Sequence, residues 1–140
     1  MGGHKRIEFL IGTYISRHYR NAVEIGAGKN FEVARLLHAA GTRVQCTDIK
    51  PMPPDPYIPA FIDDIFTPRH ALYSGCDLIY AIRPTVEMVP PLIHLAQELH
   101  CDLLVYHLGF EVYGDGGDLV DCGVILHRYH TVQNPSKSED

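Results

Sequence analysis

Ala22-Val23-Glu24-Ile25-Gly26-Ala27-Gly28-Lys29-Asn30 decides how the rest of the chain is read. An apolar run interrupted by one acid gives way to two glycines around a small residue, and an amphipathic segment follows. That is a buried strand, a sharp turn and a helix start. Glycine at the turn allows positive φ and lets a ligand lie against bare main chain. The helix that follows points unpaired N–H groups into the same crevice. In an open parallel sheet, the crevice beyond the first strand is where nucleotide-like ligands bind.

Working outward, residues 4–20 carry Ile7, Leu10, Ile11, Tyr14 and Ile15 at helical spacing. Lys5, Arg6, Arg17 and Arg20 fall mostly elsewhere and read as a solvated face, or as a basic arm toward a phosphate-bearing substrate. Asn21–Ile25 is the first strand. Asn30 caps a helix over Phe31–Ala40 with Val33, Leu36, Leu37 and Ala40 as its buried stripe, and Gly41 ends it. Arg43–Ile49 is the second strand. Residues 51–59, with five prolines, exclude the crossover helix expected there and read as a stiff loop. Ala60–Asp63 is a short third strand, and a helical turn over Arg69–Tyr73 follows. Asp77–Ile82, almost wholly apolar, suits the middle of a parallel sheet. A helix marked by Leu92, Leu95, Ala96 and Leu99 tolerates Pro90 and Pro91 only in its first turn. Asp102–Leu108 is the fifth strand. Phe110–Tyr113 and Cys122–Tyr129 read as a hairpin turning within the GDGGD stretch. Strands alternating with helices argue for a doubly wound, mostly parallel α/β sheet with helices on both faces and a C-terminal antiparallel hairpin. Residues 1–132 form one domain, and 133–140 form a disordered polar tail.

Composition narrows the function. The net charge of −5 argues against a general binder of nucleic acid or anionic membrane, which needs clustered positive charge. No apolar run approaches the ~20 residues of a membrane span, and no secretory signal is evident, so a cytoplasmic protein is expected. Cys46, Cys76, Cys101 and Cys122 contain no C-x-x-C pair and read as buried thiols. His107, His127 and His130 have no metal-ligand spacing, so no metal is expected. Tyr106 or His107, at the end of the fifth strand, is a candidate base beside the reactive group of a bound ligand.

The glycine turn discriminates between ligands. A dinucleotide fingerprint, G-x-G-x-x-G, needs a third glycine where this chain has Phe31. No G-x-x-x-x-G-K-[ST] is present to cradle nucleotide phosphates. Glu24, two residues before Gly26, would repel a pyrophosphate and suits a ligand with a positive amino group. S-adenosylmethionine has such a group and no phosphates.

Val23-Glu24-Ile25-Gly26-Ala27-Gly28 resembles the first motif of class I S-adenosylmethionine-dependent methyltransferases, E/D-x-G-x-G-x-G, with Asn30 at its last glycine. Asp48 resembles that family's second-strand acid, which holds the ribose hydroxyls, with Ile49 beside it. Asp64-Ile65 resembles the pair that meets the adenine, although Asp63 competes for the acid's role. Asp77–Ala81 resembles the fourth-strand motif, and the last hairpin suits the fold. The short length and the Ile82-Arg83-Pro84 stretch resemble a small uncharacterised archaeal methyltransferase-like family. The resemblance implies a Rossmann-like fold, S-adenosylmethionine as cofactor, and Glu24, Gly26, Gly28, Asp48, Ile49, Asp64 and Ile65 as its contacts. Arg83, at the end of the central strand, is the candidate anchor for an anionic substrate group. The substrate is a small molecule or an RNA. The alternative is a non-catalytic binding module that works with a partner protein or as a homodimer. A nucleotide-binding redox protein is the weakest fit.

Overall fold

Strand alternation sorts the core into two layers. Ala22, Val44, Cys46, Leu78, Tyr80 and Leu104 face one side of the sheet, while Val23, Ile25, Ile79, Ala81, Leu103 and Val105 face the other. A computed structural model describes residues 3–132, so the tail expected at 133–140 lies outside the described residues. The parallel strands are β1 (Asn21–Ile25), β2 (Arg43–Asp48), β3 (Ala60–Ile62), β4 (Leu78–Ile82) and β5 (Asp102–Tyr106). Two antiparallel strands, β6 (Asp118–Asp121) and β7 (Ile125–His130), complete a seven-stranded sheet in the order β3-β2-β1-β4-β5-β7-β6. Helices α1 (Gly3–His18) and α2 (Glu32–Ala39) cover the first face, and α3 (Val89–Leu99) covers the second. This is the doubly wound α/β fold expected, with the order reversing between β1 and β4.

Three local expectations change. The stripe of α2 is Val33, Ala34 and Leu37; Leu36 is only half-buried and Ala40 is exposed at the helix end. Residues 70–73 form a 3₁₀ turn rather than an α-helix. The hairpin lies later than its glycines indicate. Its strands are β6 and β7, turning at Cys122–Val124 where Cys122 N–H donates to the Val124 carbonyl at 3.0 Å. The GDGGD stretch forms the loop before β6. Gly117 there passes so close to β7 that an added Cβ would sit 2.5 Å from the Arg128 carbonyl oxygen. Gly116 and Gly117 are demanded by close approach as well as positive φ, and Gly114 by its φ of 59° alone; none of them makes the hairpin turn.

The proline-rich loop packs away from the crevice. Ile58 is buried in the α1–α2 layer, and Asp55 pairs with Arg35 of α2 at 3.0 Å. Asp55 also accepts the N–H groups of Tyr57 and Ile58, so one side chain closes the loop and fastens it to α2.

Candidate functional site

At the C-terminal ends of β1–β4 lies a cleft of about 280 Å³, close to the ~300 Å³ lower end for small-molecule sites. Its walls include Ile25 and Gly26 from β1, Asp48 and Ile49 from β2, Asp63–Phe66 after β3, and Arg83–Thr85 with Met88 after β4. None of residues 51–59 lines it, so the proline loop leaves it open.

Gly26 and Gly28 have φ of 78° and 59°, the left-handed region that glycine fills at little cost. An added Cβ on Gly26 would meet the Met88 Cε at 3.5 Å, inside the cleft wall. Gly28 does not itself line the cleft; its N–H donates to Asp48 Oδ2 at 2.8 Å. Asp48 Oδ1 takes the Lys50 N–H at 2.9 Å. Two backbone donors therefore fix this carboxylate, and a second lone pair on each oxygen remains for hydroxyl donors.

The two adjacent aspartates divide their work. Asp63 is buried: Oδ1 takes the backbone and side-chain N–H groups of Arg69 at 3.2 and 3.3 Å, and Oδ2 takes the Tyr73 hydroxyl at 2.7 Å. It braces the segment after β3. Asp64 is half-buried, and its carboxylate accepts only the Phe66 N–H, at 2.9 Å, among the described residues. Ile49 and Phe66 are 62% and 59% exposed, so two large apolar groups flank an acid with acceptor capacity to spare. That combination suits a flat ring with an exocyclic amine.

Glu24 does not reach the cleft wall. It points into the α1–α2 layer, 3% exposed, where the Tyr80 hydroxyl donates to Oε1 at 2.8 Å. Burial raises its pKa from the ordinary 4.5 to about 8; Tyr80 opposes the shift and the nearby Glu8 adds to it. Glu8 itself is 1% exposed on the apolar face of α1. It accepts the Asn30 amide at 2.6 Å and faces the Arg83 guanidinium at 3.5 Å. Phe31 rather than Asn30 is the N-cap of α2; Asn30 Oδ1 accepts the Glu32 N–H at 3.0 Å in an Asx turn just before it, so one side chain both leads into α2 and ties the glycine turn to α1. Sequence reading missed Glu8, Tyr80, Met88 and Phe66.

Arg83 is held in an unusual backbone state, with φ of 54°. Its N–H donates to the Tyr106 carbonyl at 2.7 Å, and its guanidinium lies 5.2 Å from the Tyr106 ring centre. A non-glycine residue in this region costs ~1–3 kcal/mol and is retained where its surroundings over-determine it. The cation is already committed to Glu8, an acid of α1 rather than of the cleft.

His107 follows β5 outside the cleft. Its Nε2 lies 2.6 Å from the Tyr129 hydroxyl, and its buried Nδ1 has no partner among the described residues. Burial and the neighbouring His127 lower its pKa, which keeps it neutral.

The residues fit a nucleoside with an amino group better than a dinucleotide. Carboxylates at Asp48, Asp63 and Asp64 surround the opening, and Arg83 is the sole basic residue lining it among the described residues. A pyrophosphate would meet unfavourable charge at two strand ends, those of β2 and β3.

Residues 10–114 match an Uncharacterised protein family, UPF0146. A UPF0146 protein of Archaeoglobus fulgidus is 32% identical over 106 residues, covering 75% of this chain and 78% of the relative. One from Pyrococcus horikoshii is 32% identical over 126 residues, covering 85% and 96%. Among solved structures, magnesium protoporphyrin IX methyltransferase from Synechocystis PCC 6803 with bound S-adenosylmethionine superposes with a TM-score of 0.59. That likeness covers 84% of this chain and 71% of the other at 15% identity, and it establishes a methyltransferase-like fold.

Proposed function

The chain belongs to the archaeal UPF0146 family, and from that premise we propose that it binds S-adenosylmethionine in the cleft and donates its methyl group to an acceptor. Fold alone does not carry this, because one fold hosts many functions. The observation that carries it is Asp48: a carboxylate fixed by two backbone N–H groups, at the mouth of a glycine turn, with lone pairs left for a ribose diol. Ile49, Ile65 and Phe66 would flank the adenine, and Asp64 would accept from its amine. Gly26 and Gly28 would let the methionine end pass close to the main chain. The bound compound supplies an electrophilic methyl on a sulfonium; transfer then needs mainly alignment of the acceptor. Arg83 is the candidate acceptor anchor, reached by exchanging its Glu8 contact for an anionic group. A net charge of −5 and acids around the cleft favour a small acceptor over an RNA. We propose a cytoplasmic location for this activity; separately, no helix among the described residues is long and apolar enough to cross a membrane.

The test is calorimetric titration with S-adenosylmethionine and S-adenosylhomocysteine, with NAD as control. Micromolar binding of the first two, weakened roughly 10- to 100-fold in Asp48→Ala, is expected, since hydrogen bonds to a charged group contribute ~1.5–3 kcal/mol. Absence of binding at millimolar ligand overturns the reading. A second reading, a non-catalytic module acting with a partner or as a homodimer, is favoured by one feature: Arg83 is occupied by Glu8 in the acceptor position. Release of S-adenosylhomocysteine in the presence of an acceptor separates the two.

A further inference from the structure

Two buried carboxyl groups lie beneath the glycine turn with one cation beside them. Glu24 lies on β1 between its register neighbours Cys46 on β2 and Tyr80 on β4. Glu8 comes down from α1, and Arg83 reaches Glu8 alone, at 3.5 Å. Asn30 donates to Glu8, and Tyr80 donates to Glu24. Cys46, pushed up by burial, stays a neutral thiol, and Tyr80 stays a neutral phenol. Among the described residues, the titratable groups that face Glu24 are Glu8 from α1, Cys46 from β2 and Tyr80 from β4, with Arg83 acting through Glu8. A pair of acids closed off from water and matched by one guanidinium cannot both be ionised cheaply.

From this arrangement we infer that Glu24 holds a proton in the free protein and gives it up when a ligand brings a cationic ammonium group to the Gly26–Gly28 turn. The inference rests on the proposed cofactor reading and adds to it: the cleft takes a nucleoside whose head turns an ammonium group toward the Gly26–Gly28 turn, and takes it with release of a proton. The ammonium is the second cation that the acid pair lacks. Once it is in place, both carboxylates are balanced and Glu24 ionises. Glu24 thus acts through charge from behind the turn, consistent with its absence from the cleft wall. Selectivity follows as well: an otherwise identical nucleoside without the amino group gains nothing from the pair.

The experiment titrates the full chain with S-adenosylhomocysteine at pH 7.0 in phosphate and in Tris, buffers whose ionisation enthalpies differ widely. The dependence of the observed enthalpy on the buffer gives the protons exchanged. With Glu24 titrating near 8, roughly nine in ten molecules hold the proton at this pH, so release of about one proton per ligand is expected. Affinity should rise roughly tenfold between pH 6 and pH 7. The comparison stops at pH 7 because the ligand's own α-amino group titrates at ~7.7–8.0. Glu24→Gln, isosteric with the protonated acid, should remove the buffer dependence while still binding. Glu8→Gln should reduce the release, because removing that charge lets Glu24 ionise before the ligand arrives. 5′-Methylthioadenosine, which lacks the amino group, should bind without proton release. Equal enthalpies in the two buffers with binding intact overturn the inference and leave the cofactor reading standing. Proton release that persists in Glu24→Gln also overturns it. No heat in either buffer at millimolar ligand, with a filter-binding assay also negative, instead removes the cofactor reading on which it rests.

Discussion

The two halves of the sheet treat polar side chains in opposite ways. On the β3-β2-β1-β4 side, Asp48 and Asp64 are fixed by backbone N–H groups and keep acceptor capacity facing an open cleft. On the β5-β7-β6 side, polar groups turn inward upon one another. Tyr129 Oη meets His107 Nε2 at 2.6 Å and the Tyr113 N–H at 3.0 Å, while His127 Nδ1 bonds the Gly116 carbonyl at 2.8 Å. One half holds groups ready for a ligand; the other spends them on holding a loop. The difference teaches that chemistry-bearing residues do not mark a site by type alone. Four tyrosines and histidines gather at β7, yet their bonds close on the 113–117 segment, whereas two aspartates with open lone pairs define the cleft.

The largest effect expected from this division lies in the closed half. Gly117→Ala places a Cβ 2.5 Å from the Arg128 carbonyl oxygen with φ at +64°, so main chain must move. A loss of about 3 kcal/mol is expected, from a clash added to the left-handed penalty. Gly114→Ala is the control: its φ is +59° but nothing lies within 4 Å of the added Cβ, and about 1 kcal/mol covers it. Urea unfolding measures both. If Gly117→Ala, where still folded, also abolishes S-adenosylhomocysteine binding, the two halves are coupled and the contrast fails.

How legible each half was in the sequence follows the same divide. The glycine turn and the acids at the ends of β2 and β3 lie in short contiguous motifs, so Asp48 and Ile49 fell where expected at one end of the sheet. Glu8 was invisible for a physical reason. A charged residue in an amphipathic helix reads as solvent-facing, and only the tertiary partners Asn30 and Arg83 make its burial tolerable. Tyr80 sat in an all-apolar strand whose hydroxyl partner is set by the β1–β4 register. Asp63 and Asp64 were interchangeable until Tyr73 and Arg69 claimed Asp63. The hairpin was misplaced because glycines that admit a close backbone approach look the same, in sequence, as glycines that make a turn.

A smaller effect sharpens the role of Glu24 through stability alone. Its pKa is raised from 4.5 to about 8 by burial, so the folded state binds more protons than the unfolded state across that interval. Stability from this group is therefore complete below pH 4.5 and is lost as pH rises toward and through 8. Between pH 5.5 and 7.5 the decline should approach about 1 kcal/mol per pH unit from this residue. Glu24→Gln should flatten it. Thermal unfolding of both proteins across this range gives the comparison, and parallel curves would mean that Glu24 is ionised in the free fold.

Tyr129→Phe is the mildest probe and the most direct test of the contrast. The hydroxyl accepts the Tyr113 N–H and bonds His107 Nε2, the direction of that second bond following the imidazole tautomer. In either tautomer the buried Nδ1 has no partner among the described residues. Removing the hydroxyl strands a second nitrogen of the same ring, and Tyr113, 39% exposed, recovers a water in place of its lost acceptor. The cost is therefore close to one net hydrogen bond, about 1 kcal/mol. Because His107 and Tyr129 bond each other and the loop rather than the cleft, S-adenosylhomocysteine affinity should stay within twofold. A larger loss of affinity at unchanged stability would move the His107 cluster into the functional half, and would make Tyr129 a residue that positions the acceptor.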